Sequence, residues 1–301
     1  MISVVIPVYR DAMNVLELAD ALSRQRLPEG CPLEIIIVDD GSGDGTAGVL
    51  KEHETGTLRV VSLAKNRGRA EARNAGAEAA HGEFLYFIDC DCRPLAGDWL
   101  MAHLQELRRG CIASCGPVTG DGHGFWARYQ AEASTRREHQ HTRGIVYSGS
   151  SQNCAVRSET FQRVGGFDTR YREYGFEDRD LFLRLSRLGE VGWSRDAVVR
   201  HLDALTLPAV LAKMRNAGGE SAILFSRDHP DAYRSLGYAA IDSRLHGWLR
   251  FVCALFGPLL NAAPAVDSLL GYSWIPYTVR KVIVKLLGAL AFCRGSMLVR
   301  G

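Results

Sequence analysis

The sequence predicts an α/β fold: a mostly parallel central sheet flanked by helices, followed by a helical C-terminal extension. Short runs rich in Val and Ile alternate, through the first third of the chain, with stretches whose apolar residues recur at helical spacing. The apolar runs end in Pro7-Val8-Tyr9, Asp39-Asp40-Gly41-Ser42 and Asp89-Cys90-Asp91. All three endings are polar or conformationally special, as expected where a ligand sits outside the carboxyl ends of an open sheet. The last fifth of the chain changes character and becomes apolar and basic.

The first β-branched run, residues 2–6, is closed by Pro7, and residues 12–22 then carry apolar side chains at helical spacing. The same unit recurs as a strand over 33–38, a helix from Thr46, a strand over 58–61, a helix over 70–80 and a strand over 84–88. Strand-then-helix repetition brings each strand back in the same direction, hence a doubly wound sheet. Beyond Cys111 the pattern loosens into a Gly- and His-rich stretch over 116–149 with a helix around 126–138, expected to form an acceptor side. Gly165-Gly166-Phe167-Asp168 opens a loop leading to a helix whose apolar face is Leu181, Leu185 and Leu188. The acidic first turn of that helix, Glu177-Asp178-Arg179-Asp180, complements the positive end of a helix dipole.

With 301 residues the chain suits one large domain and an appendage, and 47% hydrophobic with 23% charged residues is ordinary globular composition. A formal net charge of +2 argues against nucleic acid as a partner. The eight cysteines suit reduced cytosolic thiols, and the spacings of Cys90/Cys92 and Cys111/Cys115 are not those of zinc knuckles. MISVVIPVYRDAMN enters a strand directly, without the basic and apolar regions of a signal peptide, so a cytoplasmic location is expected.

Between Arg250 and Asp267 lie sixteen uncharged residues. A bilayer span needs about 20, and Pro258 and Pro264 interrupt the run, so a membrane crossing is not expected. After Asp267 there is no acidic residue, while Arg280, Lys281, Lys285, Arg294 and Arg300 alternate with Val, Ile, Leu and Phe. Residues 248–301 thus have the composition of a segment lying on an anionic membrane surface, the inner face of the cell membrane. A helix packed on the main domain with a solvated basic face accounts for the same composition.

Asp89 and Asp91 stand two apart after an apolar strand and therefore project to the same side. Their oxygens suit a hard divalent cation, Mn2+ or Mg2+, that keeps positions open for phosphate oxygens. The alternative is a pair of solvated loop aspartates. In the segment from Asp39 to Thr46 the glycines come too late for a dinucleotide loop, and Lys51 stands where a calcium loop needs its glutamate. What remains is a nucleoside pocket in which Asp39 and Asp40 accept from base or ribose, with Tyr9 stacking. Arg67, Arg69 and Arg73 offer cations beside these strand ends, or a basic helix face paired with Glu71 and Glu78. Glu177 and Asp178 are candidate bases for an acceptor hydroxyl, or simply helix-capping acids. His201, after the strand-like residues 197–200, is either a metal ligand or structural.

In this order, IPVYR, IIIVDDGSGDGT, NRGRAEARNAGAEAAHGEFLYFIDCDC, NCAVRSETFQRVGGFD and GFEDRDLFLRLSRLG resemble glycosyltransferase family 2. The resemblance implies a GT-A fold, with a Rossmann-like sheet in a catalytic domain over 1–205. Within it, 1–115 would bind nucleotide sugar and 116–205 the acceptor, with 206–301 as the helical extension. By position it implies that Pro7 and Tyr9 line the nucleotide pocket, that Asp40 with Asp39 contacts the base and that Asp89 meets the diphosphate; Arg67, Arg73 and Cys90 complete the expected nucleotide-sugar site. It further implies metal ligation by Asp89 and Asp91, with His201 where several relatives carry a ligand, and catalysis by Asp178 beside Glu177. Arg10 and Gly43 depart from the family's usual residues, and beyond Leu207 the resemblance fades. The expected activity is inverting transfer of a sugar from a nucleotide diphosphate, UDP by resemblance, to a glycan, lipid-linked or small-molecule hydroxyl. The rivals are a non-catalytic glycan or lipid-carrier binding protein on the same fold and a sugar nucleotidyltransferase. Residues 6–14 lack the early glycine loop the last of these requires.

Overall fold

The computed structural model describes residues 1–145 and 149–298. Its contacts divide the chain into two compact units, one of Met1–Asp121, Gln130–Thr169 and Asp178–Asp203, the other of Gly122–Tyr129, Arg170–Glu177 and Ala204–Gly301.

The first unit holds ten strands: β1 (Ile2–Val8), β2 (Leu33–Asp39), β3 (Leu58–Ser62), β4 (Phe84–Ile88), β5 (Cys92–Pro94), β6 (Ala113–Cys115), β7 (Val118–Gly120), β8 (Asn153–Arg157), β9 (Val191–Trp193) and β10 (Val199–His201). Seven form one sheet in the order β3-β2-β1-β4-β8-β6-β9, and β5-β10-β7 form a second, small sheet. The neighbours β3, β2, β1 and β4 run parallel, as the strand-then-helix alternation predicts. β8 runs antiparallel to both of its neighbours.

Burial on both faces explains the near-continuous apolar strands. Ile2, Val4, Ile6 and Val8 of β1 pack on one side with Val15, Leu18 and Leu22 of the helix Ala12–Ser23. Val5 points the other way, toward Ala72 and Ala77 of the helix Arg69–Ala79. This second helix is built largely of small residues, and a side chain at Gly76 would run into Val5 and Val38. Close seating against β1 and β2 carries Arg73 into the interior, where it is almost fully buried.

A polar network crosses the apolar interior around β8. Asn153 Oδ1 accepts from Trp99 Nε1 (2.8 Å) and from His103 Nε2 (2.9 Å), while Asn153 Nδ2 donates to the carbonyls of Pro117 and Ala197 (2.8 and 2.6 Å). His103 Nε2 therefore carries the proton, and Nδ1 accepts from the Ser114 hydroxyl at 2.9 Å. Burial lowers the His103 pKa to about 4 from an ordinary 6.5, against the opposing hydrogen bond to Asn153. Below pH 6.5 the unfolded chain binds a proton that the native ring refuses, so this contribution to stability is complete above 6.5 and declines toward 4. Urea unfolding is expected to show about 3 kcal/mol lost over that interval, and His103→Gln to flatten the profile. An unchanged profile in the variant would assign the acid sensitivity to other groups.

The second unit is helical, with Leu207–Ala217, Glu220–Asp228, Pro230–Ser235, Leu249–Phe256, Ala263–Leu270 and Tyr277–Leu298. Its core joins Leu207, Leu211, Val284 and Ala291 to Phe125, Ala263 and Leu270. Gly218 and Gly295 let the first and last of these helices cross closely. A side chain at Gly218 would strike the Phe292 carbonyl, and one at Gly295 the Arg215 carbonyl. The prolines interrupt the α-helix where expected: it ends at Phe256, a 3-10 segment intervenes, and α-helix resumes at Ala263. Pro258 and Pro264 occupy the first turns of the 3-10 segment Gly257–Ala262 and of Ala263–Leu270. At those positions the missing N–H has no helical partner to lose. The run Leu249–Leu270 is therefore helical over 22 residues, and by length and composition it is apolar enough to cross a membrane.

Candidate active site

The ends of β1, β2 and β4 lie side by side, so the three polar segments after them share one edge of the sheet. Asp39 and Asp40 are both buried, and both carboxylates hold backbone. Asp39 accepts from the Ser42 backbone N–H and hydroxyl. Asp40 accepts from the backbone N–H groups of Arg67 (2.7 Å) and Gly68 (2.9 Å). Burial raises the Asp40 pKa, more than these two bonds lower it. Gly41 has φ +65° and lies against the backbone of Lys65 and Asn66, so no side chain fits there. The two aspartates thus tie the loop after β2 to the loop before the helix Arg69–Ala79.

Pro7 stands on β1 opposite Val38. Tyr9 is exposed, with the Arg10 guanidinium 4.9 Å from its ring centroid. Arg10 adopts φ +58°, held by hydrogen bonds from its N–H to Ser42 Oγ (2.8 Å) and from Nε to the Ser42 carbonyl (3.1 Å). The only other non-glycine residue with positive φ among those described is Phe176, two before Asp178. Left-handed backbone at such residues is strained and concentrates at functional sites. The Arg67 guanidinium pairs with Glu71 at 2.6 Å, the helix-face arrangement, while its backbone N–H holds Asp40.

Asp89 and Asp91 have different surroundings. Arg73 Nη2 donates to Asp89 Oδ1 at 2.7 Å. Burial raises the Asp89 pKa, but the charges of Arg73 and then Arg69 outweigh it, and the carboxyl lies below its ordinary value. Asp91 is raised, by burial first and then by the Asp89 charge, with His201 opposing. His201 lies across from Cys92 in the β5–β10 pairing, which brings its Nε2 to 3.3 Å from Asp91 Oδ2. The other ring nitrogen is 3.2 Å from the Asp203 carbonyl oxygen, an acceptor only, so Nδ1 carries a proton. Nε2 therefore pairs with the Asp91 carboxylate when the ring is protonated and offers a lone pair to a cation when it is not. A backbone carbonyl on the far nitrogen is the usual support of a metal-bound histidine.

Among the described residues no three His, Cys, Asp or Glu side chains gather into a ready-made metal cluster. Asp91 and His201 provide two donors, and about 3 Å is the separation of adjacent ligands on a shell of about 2.1 Å. Asp89 stands two residues from Asp91 in sequence, with its Oδ1 engaged by Arg73. A site with one or two carboxylates and the remaining positions left for water and phosphate suits Mg2+ or Mn2+. Burial, then the charges of Asp91 and Asp89, pushes up the pKa of the Cys90 thiol, which lies between them in sequence.

β8 brings in the candidate base. Because it runs antiparallel to β4, its first residue, Asn153, lies opposite Ile88, and Ser150-Ser151 reach the edge that carries Asp89. Ser151 Oγ donates to Asp178 Oδ1 at 2.5 Å and Ser150 Oγ to Oδ2 at 3.3 Å. Both carboxylate oxygens are thus oriented by hydroxyls. Glu177 belongs to the second unit, where its Oε2 accepts from the Gly175 N–H at 3.1 Å and closes the loop preceding the helix Glu177–Ser186. Sequence reasoning missed Ser150 and Ser151. Their signal was a pair of hydroxyls just before an apolar strand, at its start rather than at a carboxyl end.

The chain matches the profile of glycosyl transferase family 2 over residues 3–165, and that of an N-terminal domain of galactosyltransferase over 144–194. It is 29% identical over 242 residues to the pre-mycofactocin glycosyltransferase of Mycobacterium tuberculosis, covering 76% of this chain and 48% of that protein. Glycosyltransferase AglE of Haloferax volcanii is 35% identical over 111 residues, 36% of this chain and 34% of AglE. The chain therefore spans a third to a half of the length of these relatives. Among solved structures, the mannosyltransferase PcManGT of Pyrobaculum calidifontis, in complex with GDP-Man and Mn2+, superposes with a TM-score of 0.64 at 20% identity, covering 97% of this chain and 86% of that one. The fold is that of GT-A glycosyltransferases, and with more than half of its length matched, the chain belongs to glycosyltransferase family 2.

Proposed function

We propose that the chain is an inverting glycosyltransferase that moves a sugar from a nucleoside diphosphate to a hydroxyl acceptor by direct displacement. The observation that supports this best is the carboxylate of Asp178, oriented by Ser150 and Ser151 at the strand start opposite the β4 end that carries Asp89 and Asp91. Asp178 takes the acceptor proton as the acceptor oxygen bonds to the anomeric carbon. The bond from that carbon to the diphosphate oxygen breaks, and its electron pair leaves with the nucleoside diphosphate. A single attack from the opposite side inverts the anomeric centre. Asp89, Asp91 and His201 are the residues that would hold Mn2+ or Mg2+, whose contribution when bound is to neutralise the charge of the departing diphosphate. Tyr9 offers its exposed ring to the base. Asp39 and Asp40 keep the surrounding loops in place, and Pro7 and Cys90 wall the pocket.

UDP is the first nucleotide to test, on the family resemblance, and GDP the second, because PcManGT was solved with GDP-Man and Mn2+. The acceptor class is a glycan, a lipid-linked carrier or a small molecule bearing a hydroxyl. Thermal unfolding with UDP-, GDP- and dTDP-sugars, with and without Mn2+ or Mg2+, is the test. One nucleotide class at about 100 times its Kd is expected to add about 2.7 kcal/mol only when metal is present. Stabilisation by none of them would overturn the donor assignment. Stabilisation without donor hydrolysis or transfer would indicate a binding protein, and a retained anomeric configuration in the product would exclude single displacement.

A further inference from the structure

The helical run Leu249–Leu270 is apolar on both of its faces. Leu249, Cys253, Ala263 and Leu270 point inward and pack with Val284, Leu290, Ala291 and Cys293 of the same unit. Phe251, Leu255, Leu259, Ala262 and Leu269 recur at the same three-to-four-residue rhythm on the outward side, and all are exposed. Phe251 is 79% and Leu255 71% accessible. A helix apolar all round is ordinarily buried, and this stripe offers water no charge between Arg250 and Asp267. Something apolar covers it.

The ends of the run and its charge identify the cover. Trp248 stands immediately before it and Tyr272 and Trp274 immediately after, all exposed. Aromatic residues with one polar edge favour the boundary between hydrocarbon and headgroups. The acid in this neighbourhood, Asp267, is occupied by the Trp126 indole N–H and the Leu207 backbone N–H, both at 2.9 Å. From there onward the charged residues are all basic, with Lys285 and Arg294 exposed. A second protein surface would require a complementary acidic rim around an apolar groove. A bilayer with anionic lipid supplies both properties at once.

We propose that the outward stripe of 249–270 lies in the plane of an anionic membrane surface. Phe251, Leu255 and Leu259 enter the acyl boundary, Trp248 and Trp274 sit at headgroup depth, and the exposed Lys285 and Arg294 supply the attraction. The run lies on the bilayer rather than across it, because its inward stripe is already committed to the core of its own unit. This inference stands independently of the catalytic assignment.

Co-sedimentation of the full chain with vesicles tests it. Binding is expected to phosphatidylcholine vesicles containing about 30% phosphatidylglycerol, and to weaken roughly tenfold or more on pure phosphatidylcholine or at high salt. Phe251→Asp with Leu255→Asp should also abolish about nine-tenths of the binding, while circular dichroism and melting temperature stay unchanged because both side chains are exposed. Tryptophan fluorescence should shift to the blue on binding, and less so in Trp248→Ala with Trp274→Ala. No vesicle binding, or binding indifferent to these substitutions, would overturn the proposal. So would resistance to alkaline extraction, which marks a crossing helix. A vesicle-free dimer that the double Asp variant converts to monomer would assign the stripe to a second copy of the chain instead.

Discussion

Asp178→Asn is expected to lower kcat by about 10² to 10⁴ while leaving donor-dependent thermal stabilisation intact. Asparagine keeps the size of the side chain and can still accept one hydroxyl hydrogen bond, but it cannot take a proton from the acceptor. Asparagine is also as good a helix cap as aspartate. If Asp178 only capped the helix Glu177–Ser186, the variant would turn over normally, so steady-state kinetics distinguishes the two roles. Ser151→Ala probes the orientation of the same group. With one of its two hydroxyl donors gone, Asp178 should retain its chemistry in a looser position, giving a smaller loss of kcat.

Arg73→Met is expected to destabilise the first unit by about 3–5 kcal/mol, the usual consequence of leaving one member of a buried ion pair unpaired. Arg73 is 1% exposed and Asp89 9%. The lowered pKa of Asp89 gives the effect a pH signature. A carboxyl held low in the native state stabilises it above the unfolded value near 3.8, and the benefit is lost as pH falls through the native value. The difference between wild type and variant should therefore be largest near neutrality and shrink in acid, as urea unfolding at several pH values would show. Asp89→Asn combined with Arg73→Met should recover part of the loss, because the stranded charge is then absent. A difference independent of pH would mean that packing, not charge, dominates at Arg73.

The parallel half of the sheet was legible because each of β1 to β4 is a run of five to seven residues followed by helical spacing. Their polar ends pointed directly to Tyr9, Asp40, Asp89 and Asp91. The small sheet was far less legible, since β5, β7 and β10 have three residues each, too short for periodicity to register. Hence His201 could be grouped with Asp89 and Asp91 as a candidate ligand only by resemblance, not by any strand pairing read from the sequence. The reversal of β8 leaves no local trace either, because strand direction is decided by pairing with β4 and β6 far away in sequence. Asp40 shows a different limit. Its bonds from the Arg67 and Gly68 N–H groups leave no sequence trace, because the loop that supplies them lies 27 residues further on, and they leave carboxylate lone pairs free for a ligand. The prolines of 249–270 were legible as breaks, and because they stand where helical segments begin, the run stays helical while its α-helical bonding is interrupted.

The register that sets Asn153 opposite Ile88 and His201 opposite Cys92 also bears on the order in which the protein assembles. The neighbours β1 to β4 close over short crossovers and can pair as soon as about ninety residues are available, whereas the contacts that finish the site span intervals of 65 and 109 residues. A chain emerging from the ribosome therefore pairs its early strands first and completes the proposed site last. Until residue 201 has folded back onto β5, a nascent chain is expected to lack the His201–Asp91 contact, even with its early strands already paired.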